Sequence, residues 1–263
     1  MTLHFNLTWL VSVLLLATRV AGATVLIPVL GPTEVPGSVR VILAMTLGAT
    51  LLGGVSGESS AAAVASLQSV GALTAALGCE AVIGAGMGMG FLTAYAATQV
   101  AGRSLDSQMG FSAASVFNPT LRSPSPILGS LLGLLAVFAF LSCDGHHLLI
   151  KTLAASARAV PPGSVLVPAD FPWEALFGQS AMMFTFGLAL AAPVMFSLLL
   201  ADIAVALFSR SVPQLNAFVL GFAVKVLLGL AGLAASVRLG NAVFERLFST
   251  TFQFWESFGP TLP

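Results

Sequence analysis

Residues 175–209 read ALFGQSAMMFTFGLALAAPVMFSLLLADIAVALFS and contain a single charge, Asp202. A helix needs about 20 apolar residues to cross the hydrocarbon core of a bilayer. This run is long enough to cross and too long for one simple crossing. Pro193 lies inside it, lacks a backbone N–H and predicts a bend or break there. Residues 61–101 pose the same problem, because as one helix they reach about 60 Å at 1.5 Å per residue. They must kink, form a hairpin or extend beyond the bilayer. Further apolar segments at 5–30, 39–55, 127–150 and 216–248 complete the set. The expectation is an all-α, multi-helix, membrane-associated protein of kinked helices and hairpins.

Composition supports that class. The chain of 263 residues is 57% hydrophobic and only 8% charged, where an ordinary soluble domain carries about 25% charged residues. Mean hydropathy is +0.99. Such a chain is solvated by lipid or by apolar protein partners. Ten basic and ten acidic residues cancel, which leaves no electrostatic footprint for nucleic acid. Cys79 and Cys143 lie in or beside apolar segments without CxxC spacing and read as buried free thiols. At the N-terminus, Leu10 to Ala17 is apolar and Ala21-Gly22-Ala23 resembles a signal-peptidase site. Arg19 follows the apolar stretch rather than preceding it, the reverse of a secretory signal. The segment reads as a retained helix.

Proline and glycine punctuate the connectors: Gly31-Pro32 to Pro36-Gly37, Asn118-Pro119 to Pro126, and Pro161-Pro162-Gly163 to Pro172. Alternating the apolar segments across a bilayer places Lys151, Arg158 and Arg246 on one side and Arg40, Arg103, Arg122 and Arg210 on the other. Three against four is no positive-inside bias. A subunit held mainly by other subunits shows this ambiguity.

Five charges interrupt the apolar runs: Arg19, Glu80, Asp202, Lys225 and Arg238. A charge at the centre of a lipid-facing helix costs about 3 kcal/mol or more, so such groups face protein or water. The acids are too sparse for a proton relay, and pairing between helices or subunits is the better reading. GAGMGMG at 84–90 has no preceding strand and no following GK[ST], which argues against a nucleotide loop. Its Gly84 and Gly88 instead place small residues on one helix face and allow close packing. His146 and His147 follow Asp144 at the end of an apolar segment. A metal site would need ligands from elsewhere, so capping or an interfacial contact is expected there, with no metal and no cofactor. No spacing suggests a catalytic triad, and an enzyme is not expected.

Two breaks carry the functional expectation. Ala101 to Pro119 reads AGRSLDSQMGFSAASVFNP. Its Met109, Phe111 and Phe117 are too apolar for an uncovered loop. Gly102 and Gly110 supply mobility, and Asn118-Pro119 ends the stretch. It reads as a loop that packs into something and seals it. The second break, Arg210 to Phe218, contains Pro213, Gln214 and Asn216. Its polar side chains can satisfy a hairpin turn, bridge to a partner, or both.

These elements resemble, in order, the FliR family of type III protein export. The resemblance rests on Arg19, Pro28 to Arg40, and Glu80-x-x-x-Gly84-x-x-x-Gly88. It continues through Ala101-Gly102-x-x-x-Asp106-x-Gln108-Met109-Gly110, Asn118-Pro119, Gly145-His146 and Pro161-x-Gly163. It ends with Asp202, Arg210-x-x-Pro213-Gln214-Leu215-Asn216-x-Phe218, Gly221 and Lys225. The resemblance implies a subunit of the flagellar export gate, in the bacterial inner membrane at the flagellar basal body. It implies FliP-like and FliQ-like partner subunits, an FlhB-like subunit, and unfolded protein substrates. The implied fold is a FliP-like part over about 1–165 fused to a FliQ-like C-terminal hairpin over 166–263, in one export-gate domain. Met109, Gly110, Phe111, Phe117, Asn118 and Pro119 match the region implied to plug the channel. Arg19, Glu80, Gly84, Gly88, Asp202, Arg210, Pro213, Gln214, Asn216 and Lys225 fall to helix or subunit contacts. Asn118 stands where the family commonly has Asp, and Ala223 where related chains often have Pro. The homologous component of virulence injectisomes is the nearest alternative, and an independent multi-span transporter a more distant one.

Overall fold

A computed structural model describes residues 7–27, 35–54, 58–111, 126–164, 173–212, 216–239 and 241–256. These residues form nine helices and no strand: α1 (Leu7–Val25), α2 (Gly37–Leu52), α3 (Glu58–Ser66), α4 (Val70–Met109), α5 (Ile127–Ser142), α6 (Gly145–Ala159), α7 (Trp173–Ser211), α8 (Ala217–Leu239) and α9 (Asn241–Glu256). The all-α expectation holds. α1, α4, α7 and the Phe218–Ala235 stretch of α8 are long and apolar enough to cross a membrane.

Several segment boundaries differ from those read along the chain. The 61–101 segment is not a hairpin. It splits after Ser66, and α4 then continues as a single helix of 40 residues through Met109. Ala101 to Met109 is therefore helix rather than loop. Its polar residues Arg103, Ser104, Asp106 and Ser107 are all compatible with a helix, and apolar density alone did not show that the helix continues through them. Pro193 does not end α7, which runs 39 residues across it. The 127–150 segment is two helices, α5 and α6, bent by 66°. The break falls at Asp144, whose left-handed φ of 54° ends the helical path. The 216–248 segment likewise contains two helices, α8 and α9.

The chain divides into two compact units. The first comprises 1–93, 141–180 and 250–263, and the second 94–140 and 181–249. In the first, α1 is the central element. Leu15, Leu16, Val20 and Ala23 are fully buried. Val11 and Leu15 pack with Ala63 and Ala76, and with the half-buried Leu73 and Leu77. Small residues set the approach of α1 to α4. A Cβ on Gly84 would overlap the Arg19 carbonyl, and one on Gly88 would lie 2.5 Å from the Ala23 carbonyl. Trp255 closes this unit from α9. It is fully buried, and its Nε1–H donates to the Met87 carbonyl at 2.7 Å.

The Gly84 contact has a measurable consequence. Gly84→Ala forces α1 and α4 apart along their closest line, and overpacking of this kind costs about 1–3 kcal/mol. Gly78, on the same helix, has nothing within 4 Å of a built Cβ. Gly78→Ala removes a helix-weakening glycine and costs nothing by packing. Recovery of folded chain from membranes should fall for Gly84→Ala and hold or rise for Gly78→Ala. Equal recovery of both variants contradicts the packing account.

In the second unit, α4 and α5 meet at two glycines. A Cβ on Gly102 would overlap the backbone of Gly129. Gln99 Nε2 donates to the Gly129 carbonyl at 2.9 Å beside this crossing. Gly102 is thus a point of helix contact, not a source of loop mobility. The faces of α7 and α8 are markedly apolar and exposed: Phe184, Phe196, Leu207, Phe208, Phe218 and Leu227 are each more than half exposed. Faces of this kind meet lipid or another protein.

Candidate functional site: a buried charge clamp and a capped helix end

Arg19 lies on α1 at 1% exposure and Glu80 on α4 at 0%. Arg19 Nε donates to Glu80 Oε2 at 2.6 Å. The rest of the guanidinium is also used. Nη1 donates to Ser156 Oγ on α6 at 3.2 Å, and Nη2 to the Val160 carbonyl just after α6 at 2.9 Å. Glu80 Oε1 accepts from the backbone N–H of Gly163 at 3.1 Å. One planar fork and one carboxylate therefore tie α1, α4, α6 and the Pro161–Ser164 turn together. Buried charges are tolerated when they are paired and their remaining donors and acceptors are satisfied. The turn needs Gly163, whose φ is +91°, because the left-handed region there is costly for other residues. Arg19 and Glu80 stand out in the sequence as charges in apolar runs. Ser156 and the Val160 carbonyl carry no such signal, because a serine in a helix and a backbone carbonyl look ordinary.

The second feature is the C-terminal end of α4. Gly110, at φ +84°, donates its N–H to the Ser107 carbonyl at 3.3 Å, and Phe111 donates its N–H to the Asp106 carbonyl at 3.0 Å. This pair of bonds is a Schellman cap, which uses a left-handed glycine to satisfy the last carbonyls of a helix. Gly110 stops the helix here and turns the chain. Met109, the last helical residue, is fully buried, and its thioether fills the space that a side chain at Gly229 of α8 would occupy. Phe111 meets Phe222 of α8 edge to face, with ring centroids 6.3 Å apart. Met109 and Phe111 thus both pack on α8.

Asp106, quoted in the family pattern but not assigned a role, anchors the same region. It is buried, and its two carboxylate oxygens accept from the Leu128 N–H at 3.2 and 3.3 Å. Leu128 is in the first turn of α5, where unsatisfied N–H groups and the helix dipole both favour a carboxylate. Asp106 therefore joins the end of α4 to the start of α5. Phe117, Asn118 and Pro119 lie outside the described residues.

The remaining candidates are dispersed. Asp202 on α7 pairs with Lys225 on α8 at 2.5 Å, with both side chains partly exposed. Asn216 begins α8, its Oδ1 accepting from the N–H groups of Phe218 and Val219 at 3.1 and 3.4 Å. That is an N-cap. Arg210 is exposed at the end of α7. Pro213 and Gln214 lie outside the described residues, as does the Arg238 side chain. Cys79 and Cys143 are free thiols, but neither is buried: Cys79 is half-buried and Cys143 exposed. The turn after Cys143 brings Asp144, His146 and His147 together. Asp144 occupies the N-cap position of α6, yet its side chain makes no capping bond, so the expected capping role falls to its backbone carbonyl alone.

Residues 10–251 match the family described as bacterial export proteins, family 1. The chain is similar to the flagellar biosynthetic protein FliR of Bacillus subtilis, with 32% identity over 66% of this chain and 68% of that protein. It is also 32% identical to FliR of Escherichia coli, over 70% of each chain. The Yop proteins translocation protein T of Yersinia pestis is 30% identical over 57% of this chain and 58% of that one.

Proposed function

We propose that this chain, which belongs to the FliR family of type III export proteins, is a subunit of the flagellar export gate and helps to form and seal its channel. It is a component of a type III export apparatus; the channel role is the finer reading. The observation that carries it is the capped end of α4. Met109 is buried and Phe111 rests on Phe222, so the chain enters residues 112–125 from a fixed apolar platform. A fixed base preceding a segment that contains Phe117, Asn118 and Pro119 in sequence suits a seal that a passing chain can displace. Aromatic and thioether groups fill irregular gaps and exclude water.

The exposed faces of α7 and α8 and the two helices of about 60 Å support assembly with other membrane subunits. In this reading they are FliP-like and FliQ-like proteins and an FlhB-like protein, at the inner membrane within the flagellar basal body. Residues 1–165 form the FliP-like part and 166–263 the FliQ-like hairpin. Polypeptides cross the channel unfolded.

The test is secretion. Deleting the gene should abolish appearance of flagellar proteins outside the cell and swimming, and a plasmid copy should restore both. The similarity to the Yersinia protein motivates a second reading, a virulence injectisome. Loss of effector secretion with swimming intact selects that reading over the flagellar one.

A further inference from the structure

We propose that Asp144, His146 and His147 form a binding site for a divalent transition-metal ion of the Zn²⁺ class at the bend between α5 and α6. One ligand atom from each of the three lies within 4.8 Å of the other two. Donors that share one Zn²⁺ at about 2.1 Å are at most about 4.2 Å apart. Small side-chain rotations therefore bring all three onto one ion.

Three further observations support a ligand here. The Nδ1 atom of His146 is buried and has no hydrogen-bond partner among the described residues. Buried polar nitrogens are rarely left unpartnered. The His147 Nδ1 and Asp144 Oδ1 atoms are already 3.2 Å apart, and the two imidazole rings have centroids 4.1 Å apart. Asp144 is the one described non-glycine residue with positive φ. Its carboxylate lies against His147 and makes no bond to the first N–H groups of α6.

The donor set selects the metal. Two imidazoles with one carboxylate suit Zn²⁺, Co²⁺, Ni²⁺ or Cu²⁺. Mg²⁺ and Ca²⁺ prefer sites made of oxygen alone. Three protein ligands on an exposed turn leave one coordination position for water or for a donor from a neighbouring subunit. A bound ion ties the N-cap residue of α6 to the first turn of that helix, directly after the chain leaves α5.

Co²⁺ is the probe. The full chain, purified in its membrane complex through a tag without histidines, is titrated with Co²⁺ and read by visible absorption, with Zn²⁺ as competitor. The expected result is one saturable site per copy of this chain, displaced by Zn²⁺. His147→Ala and Asp144→Asn change exposed side chains, and each should weaken binding by about tenfold or more, the scale on which even outer-shell contacts matter. His146→Ala should do the same. All three variants should be recovered in the complex at the parent level. Absence of a saturable site, or parent-like binding by the Asp144→Asn/His147→Ala double variant recovered in normal amount, overturns the proposal.

Discussion

Replacing Arg19 by leucine is expected to remove most folded chain from the membrane. The substitution leaves the Glu80 carboxylate buried at 0% exposure without its partner. Breaking a buried ion pair from one side costs about 3–5 kcal/mol, a large share of the 5–15 kcal/mol that typically holds a folded domain together. It also takes the Arg19 donor from the Val160 carbonyl and leaves Ser156 Oγ with only its bond to the Leu153 carbonyl. Arg19→Lys keeps the charge but loses the fork that spans three acceptors, so it should be intermediate. Arg19→Leu/Glu80→Leu removes both charges and should recover more chain than either single variant. That recovery stays below wild type, because the Gly163 N–H also loses its acceptor. At Glu80 alone, glutamine can keep one of the two bonds that the carboxylate accepts, and leucine keeps neither. Recovery should therefore run Glu, Gln, Leu. The measurement is the amount of chain recovered in a monodisperse complex, with swimming as the second readout. Wild-type recovery of Arg19→Leu contradicts the clamp.

Deleting residues 110–117 should leave the complex assembled and make it leak. The deletion removes the Schellman cap and the Phe111–Phe222 contact but spares Met109 in its place against Gly229 and the Asp106 bond to Leu128. The helix platform survives while the segment that follows it in the chain is shortened. Conductance of the assembled gate should rise well above wild type, cells should become sensitive to raised salt, and export should be partly retained. Phe111→Ala removes one edge-to-face pair, worth about 0.5–1.5 kcal/mol, and should give a smaller rise. A deletion that assembles normally and conducts no more than wild type shows that this segment is not the seal.

The fold class was legible because it depends on composition. Nothing but helices satisfies the backbone of runs such as 175–209 in an apolar environment unless a sheet closes into a barrel. Where each helix ended was less legible. The end of α4 is decided by a glycine cap and by the Asp106 anchor, and both lie among polar residues that look like a loop. Pro193 does not break its run, for a physical reason: a long apolar helix can continue past a proline, since side-chain hydroxyls and neighbouring helices compensate the lost bond.

The same division holds for the site. Arg19 and Glu80 were visible as misplaced charges, and Gly84 as a small residue one turn from Glu80. What they touch was not visible, because Ser156 and the Gly163 N–H lie far along the chain and are ordinary in composition. Trp255 was missed for the same reason. Nothing near it in the sequence signals that its indole N–H ends on the Met87 carbonyl.

Whether this chain works as one subunit of an export gate, as proposed, is read from the mass of the intact complex purified in mild detergent through a tag on this chain. The expected result is a defined hetero-oligomer containing FliP-like and FliQ-like proteins, and aggregation when the chain is expressed without them. A stable, monodisperse monomer, unchanged in mass when the other subunits are co-expressed, contradicts it.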